Sequence, residues 1–290
     1  MKEYFTEFIK AKMADGLSNA TIESYCYALK DYYQWLTKNS ITGATSDDLA
    51  DYMIYLRGRN YSASTLRDKW TVIYAYYNWC VKNNLRLSNP VQTKKPPLPK
   101  EKARCFTDDE VAKILRYYSD RDSFTKLRDY TIVCILLSTG IRRAELLSIT
   151  TVQGDFFILK GKGNKTRCVP ISTSLRAVLK PYIQAREKIA ICPYFIVSRN
   201  GTRLTKDGLR AVFTRLSRGT GITGRRFSPH SLRHYYATQS LKNGMDLATL
   251  QRILGHSDIS TTALYLNWDD STAQAVNERT NPLNMFKIII

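Results

Sequence analysis

The chain has 290 residues, 43% of them hydrophobic and 24% charged, with a formal net charge of +19 and a pI near 9.7. That length allows two domains with separate cores, and no apolar run approaches the ~20 residues needed to span a bilayer. The positive excess favours a polyanionic partner, nucleic acid ahead of anionic membrane, because each phosphate neutralised releases condensed counterions.

The six cysteines (Cys26, Cys80, Cys105, Cys134, Cys168 and Cys192) are scattered, with no C-x-x-C pair and no secretory context for a disulfide framework. They read as reduced, small hydrophobes. No basic-then-apolar leader opens the chain, so a cytoplasmic, nucleoid-associated protein is expected. The basic residues cluster: Lys94, Lys95, Lys100, Lys102 and Arg104; Arg142 and Arg143; Lys160, Lys162, Lys165 and Arg167; Arg225, Arg226 and Arg233. Clustering of this kind suggests a tracked phosphate backbone rather than an inert basic surface.

Residues 1–89 read as a small helical bundle. Ile22, Tyr25, Leu29 and Leu36 recur at helical spacing, as do Leu49, Tyr52, Met53 and Leu56 after Thr45 and Ser46, and Leu66, Ile73, Tyr77 and Cys80 after Ser62 and Ser64. Its many aromatic residues are expected mainly in the core. Residues 90–104, PVQTKKPPLPKEKAR, combine proline with like charge and read as an extended linker.

Helical signals resume at Thr107, with a capping box to Glu110 and a stripe of Val111, Ile114, Leu115 and Tyr118. An apolar helix over 129–137 runs into STGIRRAELLSI, in which Thr139, Gly140, Arg142, Glu145 and Leu146 form a T-G-x-R-x-x-E-L pattern. Phe156 to Lys160 and Arg167 to Ile171 read as strands flanking GKGNKT, a hairpin whose lysines are Lys162 and Lys165. A helix around Leu175 to Ile183, a strand at 194–198, a turn at Asn200-Gly201 and a helix from Thr205 read as scaffold. Arg199, Arg203, Lys206, Arg210 and Arg215 are candidate phosphate contacts there.

All three histidines, His230, His234 and His256, fall between Ser228 and Tyr265. Ser228 followed by Pro229 reads as an N-cap with proline in the first turn, which sets His230, Arg233, His234 and Ala237 along one helix face. A second helix over 246–254 buries Leu247, Leu250, Ile253 and Leu254 and ends at Gly255, followed by His256; Tyr265 lies nine residues on. The tail carries Leu283, Met285, Phe286, Ile288, Ile289 and Ile290. Apolar surface of that density docks on a neighbouring protomer or folds back on its own domain.

The joint pattern of H-x-L-R-H (His230 to His234), L-G-H-S (Leu254 to Ser257) and Tyr265 resembles the tyrosine recombinases, the phage integrase family, in its Xer-like branch. The T-G-x-R-x-x-E-L box and GKGNK resemble the family's first arginine box and its β2–β3 hairpin. Thr21 with Tyr25, and Asn89-Pro90, are loosely similar to its core-binding domain. The resemblance implies a mainly α fold with a small β-sheet: an N-terminal helical, SAM-like core-binding domain (1–89), the linker (90–104), an α+β catalytic domain (105–275) and a C-terminal tail (276–290). The two domains would form a C-shaped clamp on DNA.

The function implied is site-specific recombination in DNA integration, excision or resolution, through a 3′-phosphotyrosine intermediate, as in mobile elements. The catalytic set by position is Arg142, Lys162, His230, Arg233, His256 and the nucleophile Tyr265, with Lys165 as rival to Lys162. Two arginines and a lysine would supply the charge that a metal supplies elsewhere, so neither metal nor cofactor is expected. The partners implied are double-stranded DNA with inverted-repeat core sites and a homotetramer on synapsed DNA, with accessory proteins open and no membrane. A type IB topoisomerase-like relaxing enzyme and a catalytically inactive DNA-binding protein are the alternatives.

Overall fold

The computed structural model describes residues 2–98, 105–160, 166–255 and 270–286. The chain divides into two compact units, residues 1–102 and 103–290. Among the described residues no helix is long and apolar enough to cross a membrane.

The first unit is built from α1 (Lys2–Ala14), α2 (Asn19–Lys38), α3 (Ser46–Gly58) and α4 (Ala63–Lys82). Ser18, Thr45 and Ser62 cap the last three, each accepting a backbone N–H from the residue three ahead; Asp48 completes a capping box with Thr45. The core is aromatic: Phe8, Tyr32, Tyr52, Tyr76 and Tyr77 are almost fully buried, and the Tyr32 and Tyr77 hydroxyls meet at 2.8 Å. Tyr27, Tyr55 and Tyr74 remain exposed. Buried Lys69 is neutralised by Asp31 at 2.7 Å, and Tyr52 donates to the same carboxylate.

Part of the expected linker belongs to this unit. Val91 is buried in its core, and the Trp70 indole donates to the Thr93 carbonyl at 3.1 Å. A buried indole N–H needs an acceptor, and the linker backbone provides one.

The second unit opens with α5 (Asp108–Arg116), capped by the Thr107–Glu110 box. Next, α6 (Phe124–Thr139) runs through the core and packs against α8 (Thr173–Glu187) and α10 (Pro229–Lys242). It starts earlier than its apolar run because Arg128 and Asp129 are buried as a pair at 2.7 Å, with Arg215 also reaching Asp129. The short α7 (Arg143–Leu146) leads to an antiparallel sheet, β1 (Thr151–Gln153), β2 (Phe156–Lys160) and β3 (Thr166–Pro170), in the order β1-β2-β3. Leu159 pairs with Arg167 and Phe157 with Val169. The strand expected at 194–198 is only an isolated bridge, Val197 to Arg203, because the chain turns at once through Gly201 to meet Ile191.

The unit continues with α9 (Lys206–Thr220), α10, α11 (Leu247–Leu254), α12 (Asp270–Thr280) and a 3-10 turn over Pro282–Met285. The tail folds back onto its own unit as far as it is described. Leu283 is fully buried, Asn281 donates to the Ser138 carbonyl at 2.7 Å, and Tyr236 donates to Asn277 at 3.1 Å. Leu283 is therefore packed within its own unit, while Met285 is exposed; Ile288, Ile289 and Ile290 lie outside the described residues.

Candidate active site

Gly140 ends α6 in the left-handed conformation (φ 58°) and turns the chain so that Arg142 stands before α7. A side chain at 140 would meet Tyr236 Cδ1 at 2.5 Å and Leu254 Cδ2 at 2.8 Å. Gly140→Ala is therefore expected to destabilise the unit by about 3 kcal/mol, the sum of left-handed strain and overpacking. Thermal denaturation checks it: an unchanged Tm would mean that the junction of α6, α10 and α11 is looser than its geometry.

Glu145 organises the charges around Arg142. Its Oε2 accepts the Arg142 backbone N–H at 2.6 Å and Arg167 Nη2 at 2.9 Å, while its Oε1 accepts Arg142 Nη1 at 3.3 Å. Burial pushes this carboxyl up, but Arg167, the Arg142 backbone and the Arg142 guanidinium together hold it below its ordinary value. The stability it contributes is thus present above the ordinary carboxylate range and is lost as pH falls through the lowered value.

Three guanidiniums end on three successive carbonyls at the C-terminus of α11. Arg167 donates to Ile253, Arg233 Nη2 to Leu254 at 2.9 Å, and Arg142 Nη2 to Gly255 at 2.8 Å. Those carbonyls have no intrahelical partners and carry the negative end of the helix dipole, so cations suit them. Arg233 also donates to the Gly140 carbonyl at 2.7 Å, which joins the ends of α6 and α11. It is only 7% exposed, and burial followed by the charge of Arg142 brings its pKa down to about 10.

His230 lies exposed at the start of α10, where Ser228 Oγ accepts the Ser231 N–H at 3.2 Å. A cleft of about 480 Å³ brings His230, Arg142 and Arg233 together, with Ile141, Arg143, Arg226, Ser228 and Pro229 as its other walls. A neighbouring groove of about 710 Å³ shares Arg143, Arg226, Ser228 and Pro229 and adds Lys206, Arg210 and Arg218 from α9. Guanidinium forks and an imidazole around one opening have the charge and donors to take a phosphate oxyanion. Among the described residues no group of three or more His, Cys, Asp or Glu side chains comes together as a metal site.

Of the six candidate catalytic residues, Arg142, His230 and Arg233 line this one cleft. His256, Tyr265, Lys162 and its rival Lys165 lie outside the described residues. His234 is exposed on α10 and does not line the cleft. Arg167, expected only as a basic residue at the start of a strand, does not line the cleft but contacts Glu145 beside Arg142; its signal is the two-residue spacing from Val169, which turns it toward the core face of β3. Arg143 and Arg226 at the cleft wall had no spacing signal.

The chain thus has a helical N-terminal unit and an α+β unit that gathers arginines and a histidine at one cleft. Residues 104–272 match the phage integrase family, and residues 4–87 match the phage integrase N-terminal SAM-like domain; the chain belongs to the phage integrase family. It is 32% identical to tyrosine recombinase XerD of Rhizobium meliloti (strain 1021), covering 97% of this chain and 94% of the relative. Tyrosine recombinase XerC of Chlamydia caviae is 30% identical, covering 82% of this chain and 78% of the relative. Among solved structures, a lambda integrase(75–356) dimer bound to a COC′ core site has a TM-score of 0.72 at 18% identity, covering 93% of this chain and 99% of that one. XerH bound to its difH substrate has a TM-score of 0.66 at 20% identity, covering 82% and 74%. These two likenesses are of fold.

Proposed function

We propose that the chain is a site-specific tyrosine recombinase that cuts and rejoins double-stranded DNA through a 3′-phosphotyrosine at Tyr265. The observation that carries this reading is the convergence of Arg142, Arg233 and His230 on one cleft. A tyrosine hydroxyl is a weak nucleophile at neutral pH and needs a base or a strongly positive surrounding. His230 serves the proton, and Arg142 and Arg233 hold the non-bridging oxygens as charge builds up. His256 adds a hydrogen bond there, and Lys162 protonates the leaving 5′ oxygen, with Lys165 the rival.

The covalent link conserves the broken bond's energy, so a 5′ hydroxyl of another strand can reseal the DNA without ATP. Relatives named as tyrosine recombinases support this assignment. We further place the chain on inverted-repeat core sites as a homotetramer; a lambda integrase tetramer bound to a Holliday junction is similar in fold.

Covalent capture tests the proposal: the protein is incubated with fragmented DNA of its source genome, the mixture is denatured, and protein-linked strands are recovered and their ends sequenced. Adducts at paired inverted repeats, with joined recombinant strands, are expected. Scattered adducts with relaxation of supercoils alone would replace this reading with a type IB topoisomerase-like one. Tight binding at low salt with no adducts would leave a DNA-binding protein.

A further inference from the structure

We propose that Arg167 is a positioning residue for the cleavage step: held between the Glu145 carboxylate and the Ile253 carbonyl, its guanidinium fixes how Arg142 is presented to the scissile phosphate. The proposal rests on the reading of the chain as a tyrosine-dependent strand-cleaving enzyme.

Arg167 is the second residue of β3 and shares a strand face with Val169, opposite Leu159 and Phe157, all three buried. A cation on the core face of a sheet is costly unless it is paired. Its two partners come from different elements: Nη2 donates to Glu145 Oε2 at 2.9 Å, and Nη1 donates to the Ile253 carbonyl at the end of α11. Gly255 leaves room for this, since a Cβ there would stand 2.8 Å from Arg167 Cζ.

The two arginines on Glu145 face different ways. The Arg142 side chain is 45% exposed and lines the cleft, whereas that of Arg167 is 19% exposed and does not. Arg167 therefore acts through the carboxylate. With Arg167 in place, one side of Glu145 is committed to the sheet, and its remaining capacity orients the Arg142 backbone and one edge of its fork. Without Arg167, the carboxylate turns fully onto the Arg142 guanidinium and competes with the phosphate for it. The end of α11 also loses its tie to β3.

The test is single-turnover adduct formation at saturating protein on two duplexes that differ only at the scissile group. One carries the ordinary phosphodiester, the other a methylphosphonate, in which a neutral methyl replaces one charged oxygen. Arg167→Gln is expected to slow cleavage of the phosphodiester about 10²-fold, the scale of a misplaced catalytic group. On the methylphosphonate, where less charge needs cancelling, the slowing should shrink below about tenfold. Equal slowing on both duplexes would mean general structural damage and would overturn the proposal, as would a wild-type rate on the phosphodiester.

Where circular dichroism shows that Arg167→Gln does not fold, Arg167→Lys carries the same comparison, because lysine keeps the charge but cannot span both acceptors. The substrate-dependent loss is again expected, and full phosphodiester activity in the lysine variant would overturn the two-armed bridge. Absence of adducts from the wild type would remove the enzyme reading and this proposal with it. Wild-type adducts with an equally active Arg167 variant would remove this proposal alone.

Discussion

Tyr265→Phe is expected to abolish covalent protein–DNA adducts while leaving DNA affinity within about twofold, since one hydroxyl among many phosphate contacts adds little to binding. The loss should be on the order of 10⁴-fold or more, as for removal of other enzymic nucleophiles, because phenylalanine has no atom that can bond phosphorus. Denaturing gels of protein crosslinked to labelled duplex read the adduct, and gel shift at matched salt reads the binding. Adducts persisting in the variant would transfer the nucleophile to another residue. Tyr32, Tyr52, Tyr76, Tyr77, Tyr118, Tyr235 and Tyr236 are poor substitutes, being buried with hydroxyl pKa values pushed up, first of all by that burial.

Arg233→Ala is expected to lower single-turnover cleavage on the order of 10³-fold, the upper range for removing one donor to a developing oxyanion. A stability loss should accompany it. The guanidinium donates to the Gly140 and Leu254 carbonyls from a site 7% exposed, and truncation leaves both acceptors without it. A buried acceptor left unmade costs about 1–3 kcal/mol, partly offset here because the cost of burying a cation also disappears. A Tm several degrees lower is therefore expected. Arg233→Lys should keep the charge but lose the fork that reaches both carbonyls, so its Tm should fall as well. Cleavage by Arg233→Ala within tenfold of wild type, measured with the variant still folded, would remove Arg233 from the phosphate-binding set.

Much of this fold was legible because local chemistry decides it. Ser228 with Pro229, Thr107 with Glu110, and Gly255 marked helix ends that the structure places at those residues. The hairpin strands around GKGNKT fell within one residue of β2 and β3. Helical spacing put His230 near Arg233, but their approach to Arg142 was legible only through the motif resemblance, since no spacing within a chain tells which helices will meet.

Other features depended on contacts that no sequence window contains. The linker start was hidden because Trp70, twenty-three residues earlier, needed an acceptor and found Thr93. The strand expected at 194–198 had suitable residues but no neighbouring strand long enough to pair with it. The tail offered apolar residues with two outcomes, and a polar match between Asn281 and Ser138 places its first part on the parent unit. Arg167 was visible as a charge and invisible as a tie, because Glu145 and Ile253 lie far from it along the chain.

The row of guanidiniums on the α11 carbonyls has a consequence for the entropy of binding. A free arginine side chain on a surface carries about 2 kcal/mol of rotamer freedom, which a phosphate must remove before it can be gripped. In Arg142, Arg167 and Arg233 that freedom is removed during folding, by acceptors that belong to the protein. Each guanidinium has five N–H donors, so the Arg142 fork, aimed by Glu145 and Gly255, still has further donors for an oxyanion. The ordering cost therefore falls on the stability of the fold, and DNA meets a receptor whose arms are already set.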